Sequence, residues 1–337
     1  MTELPFVSVL MPVRNEAMFI HRSLGSVIAQ TYPPDRMEIL VLDGQSDDGT
    51  PDRARELGAR ARDGGRAPVV LLENPGRSVS PAMNIGIERA RGDVIVRVDG
   101  HCEIDPGYVM GCVDALVRTG ADNVGGIQAA VGEGVVGRAI AAAMTSRFGV
   151  GGASFHFSTT SAWVDTVYLG AFRRDVFDRV GGFDEDLVRN QDDELNFRIT
   201  QSGGRVWLEP TLRTVYRPRP SLRAMWKQYF QYGVYKVLVA RKRRAVASIR
   251  HLVPAAFVGG VASSLVAGLV TRSILIATAI PGLYVLANVA ASLAAPRPLG
   301  SSRLVLPLAF VTMHVAYGVG FLVGIVRWSV AGVARHP

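Results

Sequence analysis

Polar side chains near residues 14, 43 and 99 have the types and spacing needed to bind a metal–phosphate ligand. Asp99 and His101 offer a carboxylate oxygen and an imidazole two residues apart, and Gly100 between them allows a ligand to approach closely. Such a pair can hold Mg²⁺ or Mn²⁺ against a diphosphate, and the imidazole favours Mn²⁺ more than an all-carboxylate site would. By itself, an Asp-x-His pair is also compatible with a turn or a helix cap.

The elements that must position these residues alternate between strand and helix. Runs of Val, Ile and Leu separated by helical segments predict an α/β fold with a mostly parallel sheet covered on both faces. The polar groups follow the first, second and fourth strands, and ligands bind at this carboxyl edge in open α/β sheets. The predicted strands are Phe6–Val13, Glu38–Leu42, Pro68–Leu72 and Asp93–Val98, and the predicted helices are Glu16–Gln30, Pro51–Arg62 and Pro81–Arg91, with a fourth after Pro106.

The loop sequences argue against two classes of nucleotide enzyme. Pro12–Glu16, the loop after the first strand, contains no glycine, whereas a dinucleotide-binding fold needs Gly-x-Gly-x-x-Gly there. The chain also lacks the Gly-x-x-x-x-Gly-Lys-Ser/Thr loop of phosphate-loop hydrolases. Cys102 and Cys112 lie ten residues apart without a second pair, so they form no cysteine metal motif, and we expect them in the core.

Three ordered motifs resemble those of family 2 glycosyltransferases with the GT-A fold. They are Pro12–Glu16, Val41–Thr50 and Val98–His101, and the likeness extends over residues 5–233. The Asp-Gly-His form of the third motif, together with an apolar C-terminal tail, resembles the succinoglycan-type exopolysaccharide enzymes within that family. The resemblance implies a nucleotide-binding, Rossmann-like sheet and a nucleotide-diphosphate sugar as donor.

The resemblance also implies a role for each side chain of these motifs. Asp43 would contact the base, and Asp47 or Asp48 would support that pocket. Asp99 would reach the ribose and the metal-bound diphosphate, with His101 in the place of the second aspartate of the family's Asp-x-Asp. That substitution leaves open whether the divalent metal is Mn²⁺ or Mg²⁺. The nucleotide-sugar side of the site would comprise Pro12, Arg14, Glu16, Asp43, Asp47, Asp48 and Asp99.

Two later motifs resemble the sugar and acceptor side of the family's site. Gly170–Arg173 precedes a helical stretch that ends near Val180. A glycine that merely begins a helix would explain this motif equally well. In Asn190–Leu195, Asp192 aligns with the family's catalytic base and Gln191 replaces the usual glutamate. A charged helix N-terminus is the structural alternative. The residues implied on this side are Gly170, Phe172, Arg173, Gln191 and Asp193.

The implied chemistry is inverting transfer of a sugar. Asp192 would take the proton of an acceptor hydroxyl, which attacks the anomeric carbon as the nucleotide diphosphate leaves. A metal ion would neutralise the charge of the leaving group. The neighbouring carboxylates of Asp193 and Glu194 could raise the pKa of Asp192.

The charges divide the 337-residue chain into two parts. Of its 37 basic and 29 acidic residues, 13 basic and no acidic ones lie in 221–337, so residues 1–220 carry a net charge of −5. A nucleic-acid binder would concentrate positive charge on its folded domain, so we expect no nucleic-acid partner. We therefore expect a cytoplasmic catalytic domain over 1–220, a basic amphipathic segment over 221–250 and a membrane anchor over 251–337.

Three apolar runs in the anchor have the length of membrane-spanning helices. They cover residues 252–270, 274–295 and 304–326, and none contains Asp, Glu, Lys or Arg. The basic cluster Arg241–Arg244 precedes them, so the positive-inside rule predicts a multi-pass protein of the cytoplasmic membrane whose catalytic domain faces the cytoplasm. Three full crossings would leave Arg335 outside, so a re-entrant run stays an alternative.

The basic segment carries residues that bear on what the enzyme makes. Trp226, Gln228, Gln231 and Tyr232 occupy the position of the Gln-x-x-Arg-Trp motif of processive synthases, but read Gln-x-x-Gln-Tyr. This departure favours addition of one sugar to a lipid-linked saccharide acceptor held at the membrane. A processive polysaccharide synthase is one alternative, and a non-catalytic membrane scaffold or transport component is another. The segment itself suits a helix at the level of the lipid headgroups or a surface helix packed on the domain.

Overall fold

The computed structural model describes residues 3–218, 220–244, 248–296 and 299–330, so Arg335 lies outside the described residues. The chain forms two compact units. The first comprises Met1–Ala129 and Ser154–Tyr216, and the second comprises Ala130–Ala153 and Arg217–Pro337. The second unit thus begins four residues before the expected segment and also takes in residues 130–153, which we expected in the catalytic domain.

The elements alternate as predicted over the first hundred residues. The strands are β1 (Val7–Val13), β2 (Met37–Asp43), β3 (Val69–Glu73), β4 (Val94–Arg97), β5 (Cys102–Ile104), β6 (Asn123–Ala130), β7 (Ala162–Val164), β8 (Tyr168–Arg173) and β9 (Val206–Tyr216). The helices are α1 (Ile20–Ile28), α2 (Thr50–Asp63), α3 (Val79–Arg89), α4 (Tyr108–Thr119), α5 (Gly134–Met144), α6 (Arg147–Val150), α7 (Asp175–Val180), α8 (Gln191–Gln201), α9 (Leu222–Arg243), α10 (Val253–Thr271), α11 (Ile274–Ala294) and α12 (Ser302–Val330).

The first unit is built on one sheet whose strand order is β3-β2-β1-β4-β8-β6-β9-β5, with β7 paired to β9. Strands β3, β2, β1 and β4 are parallel, and every residue of β1 and β2 is buried. Strands buried on both faces need apolar side chains throughout, which is why their sequences read as continuous runs rather than alternating ones. The predicted α/β fold is confirmed, with parallel pairing in this half of the sheet.

The other half of the sheet is antiparallel, which the sequence did not predict. Strand β8 pairs antiparallel with both β4 and β6, although about 70 residues separate it from β4 along the chain. The signals for these strands are weak, since β6 contains two glycines and β9 contains Pro210. Only the tertiary fold therefore places β8 beside β4.

The second unit is helical and contains the three predicted apolar runs. They form helices over Ile249–Thr271, Ile274–Ala294 and Ser302–Ser329, each long and apolar enough to cross a membrane. In the first two helices, only 11% and 6% of the most apolar 18-residue stretch is buried within the protein. Apolar surface of this extent requires an apolar environment, so three helices capable of spanning a membrane are confirmed.

Helix α9 packs along α12 through glycines. A Cβ on Gly233 would lie 2.2 Å from the Tyr317 carbonyl oxygen, and one on Gly320 would lie 2.2 Å from the Phe230 carbonyl oxygen. Small residues allow two helix backbones to approach this closely. Residues 222–243 therefore belong to the helical unit, where α9 packs on α12, while Trp226 remains 40% exposed.

Replacing Gly233 with Leu should separate α9 from α12. The new side chain would overlap the backbone of α12, so we expect a loss of about 1–3 kcal/mol or more in the free energy of unfolding. Gly259→Leu is the matched control, since a Cβ at Gly259 meets nothing within 4 Å. Thermal unfolding in detergent measures both variants, and equal midpoints would contradict the proposed contact.

Candidate active site

The carboxyl ends of β1, β2 and β4 meet at one edge of the sheet. In the strand register Val13 lies opposite Asp43, and Arg97 lies opposite Leu10. Asp99 lies two residues after β4, so the three predicted polar groups come together as their positions at the ends of parallel strands require.

Hydrogen bonds join the loop after β1 to the loop after β2. The Asn15 amide donates to Ser46 Oγ at 2.9 Å, and the Asp47 amide donates to Asn15 Oδ1 at 3.0 Å. Asn15 adopts a left-handed conformation, with φ of 55°, which asparagine tolerates better than most residues. The two loops that carry Arg14 and Asp47 thus form one surface at the end of β1, the strand that contains Pro12.

Asp48 stabilises this surface by hydrogen bonds to both loops. Its carboxylate accepts hydrogen bonds from the Ala17 amide at 2.9 Å and from the Thr50 amide at 3.0 Å, and the Thr50 hydroxyl donates to it as well. Burial raises the pKa of Asp48, but these hydrogen bonds lower it by a larger amount. The pKa of Asp48 therefore lies below its ordinary value. These contacts suit Asp48 to supporting the pocket.

Asp43 has one carboxylate oxygen without a partner. The side chain is 8% exposed, and its Oδ2 accepts a hydrogen bond from the Ser46 amide at 3.1 Å. Oδ1 is buried and has no hydrogen-bond partner among the described residues. A buried acceptor in this state is costly unless a donor satisfies it, and an N–H of a nucleotide base is such a donor. Base recognition by Asp43 remains a prediction.

Arg97 links the two most important carboxylates of the site. It lies on β4 and is 4% exposed, its Nε donates to Asp99 Oδ1 at 2.8 Å, and its Nη1 donates to Asp192 Oδ1. Asp192 belongs to the first turn of α8, yet the fold brings it to the Asp99 edge. Our sequence interpretation missed Arg97. The available signal was a single charge inside the otherwise apolar strand segment Val94–Val98.

The two carboxylates have opposite pKa shifts. Burial, opposed by Arg97 and reinforced by Asp99 and Asp193, raises the pKa of Asp192 to about 6. Burial also raises the pKa of Asp99, but the charges of Arg97 and His101 outweigh it, so the pKa of Asp99 lies below its ordinary value. The Asp192 side chain keeps 33% of its surface exposed, so a substrate hydroxyl can reach it.

Other residues at the start of α8 have separate tasks. Gln191 and Glu194 are buried, and Glu194 accepts two hydrogen bonds from Arg198, both at 2.8 Å. Arg198 also donates to carbonyl oxygens of Val180 and Gly182, so this pair anchors the helix to the preceding loop. Glu194 is thereby paired, and the nearby charges that raise the pKa of Asp192 are those of Asp99 and Asp193.

Asp99 and His101 fit a divalent cation. Their ligand atoms and Cys102 Sγ lie within 4.8 Å of one another. His101 Nδ1 is 3.1 Å from Glu16 Oε1, so a proton on Nδ1 would donate to Glu16 and leave Nε2 to bind a metal. Cys102 lies in the core as predicted, with its Sγ 2.6 Å from Tyr168 Oη, and burial raises the pKa of its thiol. Carboxylate and imidazole donors suit Mn²⁺ or Mg²⁺.

The structure does not bring Phe172 and Arg173 to this edge. Strand β8 runs antiparallel to β4 and places Arg173 opposite Val94, at the far end of β4 from Asp99. Arg173 pairs there with Asp175, and Phe172 is 2% exposed in the core against aromatic neighbours. Their expected place beside the sugar is therefore wrong, because β8 is a strand whose amino-terminal end, not its carboxyl-terminal end, lies at the site.

Two tyrosines, Tyr168 and Tyr216, lie beside the Asp99–His101 segment. Tyr168 begins β8 beside Cys102, and the ring of Tyr216 meets the His101 ring edge-on at 5.7 Å between centroids. Gly170 lies on β8 one residue nearer the Asp99 edge than Ala171, and a Cβ there would stand 2.5 Å from Asn123 Oδ1. Gly170 is thus required for packing. Tyr168 and Tyr216 come close to Cys102 and His101 only through pairing of strands far apart in the chain. No local sequence signal therefore identified them.

The predicted membrane-proximal residues lie on α9 in the second unit. Gln228 is buried and donates to Tyr232 Oη at 2.8 Å, and the rings of Tyr229 and Tyr232 meet edge-on at 5.5 Å. Gln231 lies on the same helix, while Trp226 is partly exposed near its beginning. Their membrane-proximal position stays a prediction.

Two solved structures share this fold. The mannosyltransferase PcManGT from Pyrobaculum calidifontis, in complex with GDP-Man and Mn²⁺, is 21% identical, and the match covers 98% of this chain and 89% of that one with a TM-score of 0.64. S. aureus TarS (residues 1–349), in complex with UDP-GlcNAc, matches 94% of this chain and 90% of that one at 17% identity with a TM-score of 0.51. At these identities the likeness supports the fold alone.

Sequence relatives extend the likeness. The succinoglycan biosynthesis protein ExoA of Rhizobium meliloti is 32% identical over 74% of each chain. A Methanococcus voltae dolichyl N-acetyl-alpha-D-glucosaminyl phosphate 3-beta-D-2,3-diacetamido-2,3-dideoxy-beta-D-glucuronosyltransferase is 26% identical over 96% of this chain and 98% of that one. The profile of "Glycosyl transferase family 2" matches residues 8–181, more than half of this chain. Together with the Asp99 edge and the sheet that carries it, these matches show that the protein is a glycosyltransferase of family 2.

Proposed function

We propose that the protein is an inverting glycosyltransferase that moves one sugar from a nucleotide-diphosphate sugar to a hydroxyl of a lipid-linked acceptor. The observation that carries this proposal is the hydrogen-bonded chain Asp99–Arg97–Asp192, whose central arginine is buried. It joins a carboxylate suited to the donor and its metal to a second carboxylate suited to act as a base. Such a pair of carboxylates with separated pKa values can divide two roles in one reaction.

The proposed reaction needs only one proton transfer by the protein. Asp192 accepts the proton of the acceptor hydroxyl while the hydroxyl oxygen forms a bond to the anomeric carbon. The bond between that carbon and the diphosphate oxygen breaks on the opposite face, so the anomeric configuration inverts. A divalent cation held by Asp99 and His101 would supply neutralisation of the charge on the diphosphate. Glu16 orients His101, and Asp43 offers its buried Oδ1 to the base.

The helical unit supports a lipid-linked acceptor. Its three helices are long and apolar enough to cross a membrane, which supports a position at a membrane, and the name of the Methanococcus voltae relative describes a dolichyl-phosphate-linked acceptor. The basic residues Arg241–Arg244 form the last turn and the C-cap of α9, ahead of the first apolar helix in the chain. By the positive-inside rule this cluster stays on the cytoplasmic side of the inner membrane, and the catalytic domain lies on the same side.

Product analysis tests the proposed function. The purified enzyme with Mn²⁺ is offered UDP-glucose, UDP-N-acetylglucosamine or GDP-mannose together with polyprenyl-phosphate-linked saccharides. We expect one added sugar, with inverted anomeric configuration by NMR spectroscopy. A retained configuration would overturn the inverting mechanism, and long products would favour a processive synthase. Absence of both transfer and donor hydrolysis across the panel would favour a non-catalytic scaffold.

The rate of transfer should fall as the pH falls through about 6. Burial together with Asp99 and Asp193 raises the pKa of Asp192 to about 6 despite Arg97, and only the ionised carboxylate can accept a proton. We expect kcat/KM to be constant above pH 7 and roughly tenfold lower at pH 5. The pH dependence of kcat/KM with saturating Mn²⁺ provides the measurement. An unchanged rate at pH 5 would exclude Asp192 as a base of this pKa.

A further inference from the structure

We propose that Arg97 is a positioning residue that sets the catalytic geometry by holding Asp192 against Asp99. This inference rests on the proposed function, because it concerns how the base and the donor side of that site are kept together. Arg97 itself is buried behind both carboxylates and need not touch the substrate.

The hydrogen bonds of Arg97 reach two distant parts of the chain. Its Nε donates to Asp99 Oδ1 at 2.8 Å and its Nη1 donates to Asp192 Oδ1, 95 residues away in the sequence. The backbone of Arg97 is fixed within β4, opposite Leu10 of β1. The guanidinium is therefore a rigid bridge from the sheet to the first turn of α8.

The start of α8 needs such a bridge. Asn190, immediately before the helix, has a φ of 62°, so the chain turns sharply into the first turn. Further along the helix, Glu194 and Arg198 tie α8 to the loop after α7. Arg97 connects the side chain of Asp192 itself to β4, the strand that leads to Asp99. This contact determines where the base points.

The charge balance makes the contact strong. Arg97 is 4% exposed, and a buried guanidinium requires anionic partners, while two nearby carboxylates repel each other without a cation between them. A guanidinium donates from separate nitrogens in a planar fork, so it can bond both carboxylates at once. A lysine ammonium is a single point charge and lacks this fixed geometry. Arg97→Lys therefore keeps the positive charge and removes the planar guanidinium that bonds both carboxylates.

Steady-state kinetics of Arg97→Lys and Arg97→Met in the full-length detergent-solubilised enzyme test the proposal. The probe is whichever of UDP-glucose, UDP-N-acetylglucosamine and GDP-mannose the wild type transfers. We expect kcat to fall about 100-fold in both variants, because an error of about 1 Å in the position of a catalytic group has an effect of this size. The donor KM of Arg97→Lys should change less than about threefold. A kcat within threefold of wild type for Arg97→Lys would overturn the proposal.

Arg91→Met is the matched control for loss of a structural arginine. Arg91 pairs with Glu38 at 2.8 Å and lies over the Phe6 ring at the other end of the same parallel strands. Its loss should lower the unfolding temperature without lowering kcat. An equal loss of kcat in Arg91→Met and Arg97→Lys would show a general effect on the sheet and overturn the assignment.

A double mutant separates action through Asp192 from an independent role. In an Asp192→Asn background, adding Arg97→Lys should change the residual rate by less than about threefold, because residues that act as a unit are not additive. A further 100-fold loss would overturn the proposal. If the wild type transfers no sugar at all, the proposed function fails instead, so the two failures are distinct. Thermal unfolding identifies any variant that does not fold, and Arg97→Lys serves where Arg97→Met fails.

Discussion

Asp192→Asn should lower the rate of sugar transfer by about 10³-fold or more and leave nucleotide-sugar binding nearly unchanged. General-base catalysis contributes about 10²–10⁴-fold, and an amide cannot accept the proton of the acceptor hydroxyl. Asparagine has the shape of aspartate and keeps an oxygen for the hydrogen bond from Arg97, so the donor side of the site should persist. The measurements are the transfer rate and the affinity for the nucleotide sugar with Mn²⁺ by calorimetry.

Asp178→Asn is the control for this substitution. Asp178 is an exposed acidic residue in the first turn of α7, so the change in charge and helix position is the same. We expect its activity to match the wild type. Retention of a tenth or more of the wild-type rate in Asp192→Asn would rule out Asp192 as the base.

Asp99→Asn should weaken Mn²⁺ binding and donor binding by about 100-fold or more. Changes to residues behind a metal ligand already reduce affinity about 10–100-fold, and loss of a charged ligand should be at least as severe. Binding of Mn²⁺ is measured directly by electron paramagnetic resonance, which is independent of turnover. The remaining carboxylate partner of Arg97 would then be Asp192, so this variant should also lower the pKa of the base.

A charge-matched control accompanies this experiment. Asp105 is exposed just beyond β5, and Asp105→Asn should leave Mn²⁺ affinity unchanged. If Asp99→Asn binds Mn²⁺ as tightly as the wild type, then Asp99 is not a metal ligand. If both variants lose affinity equally, the effect is one of net charge, and the site lies elsewhere.

The parallel half of the sheet and the membrane helices were predictable for the same physical reason. A strand buried on both faces and a helix in lipid each need an unbroken apolar sequence, and such runs are visible without any knowledge of the fold. Because Asp43 ends β2 and Asp99 lies two residues after β4, their meeting at one edge followed from topology alone. The antiparallel half was not predictable, since its strands are short and pair over long separations.

Segment 130–153 shows why the sequence did not predict the domain boundaries correctly. Its sequence is apolar and helical, which fits the core of an α/β domain as well as a helical bundle. Only the structure shows that Ala139, Ile140 and Ala143 of α5 are fully buried and that α5 belongs with α12 in the second unit. Which partner covers an apolar helix face is a property of the whole fold and not of the helix.

By itself the sequence determined the chemistry available at the site, because residue type and position after a strand are local properties. Asp43, Asp99 and His101 were identified in this way as candidate ligands, and Asp192 was identified as the candidate base through the resemblance of its motif to that of the family. Tertiary structure alone decided that Arg97 joins Asp99 to Asp192 and that Arg173 lies at the opposite end of β4. Distance and direction between residues far apart in the chain arise only when the sheet has formed, so no local pattern encodes them.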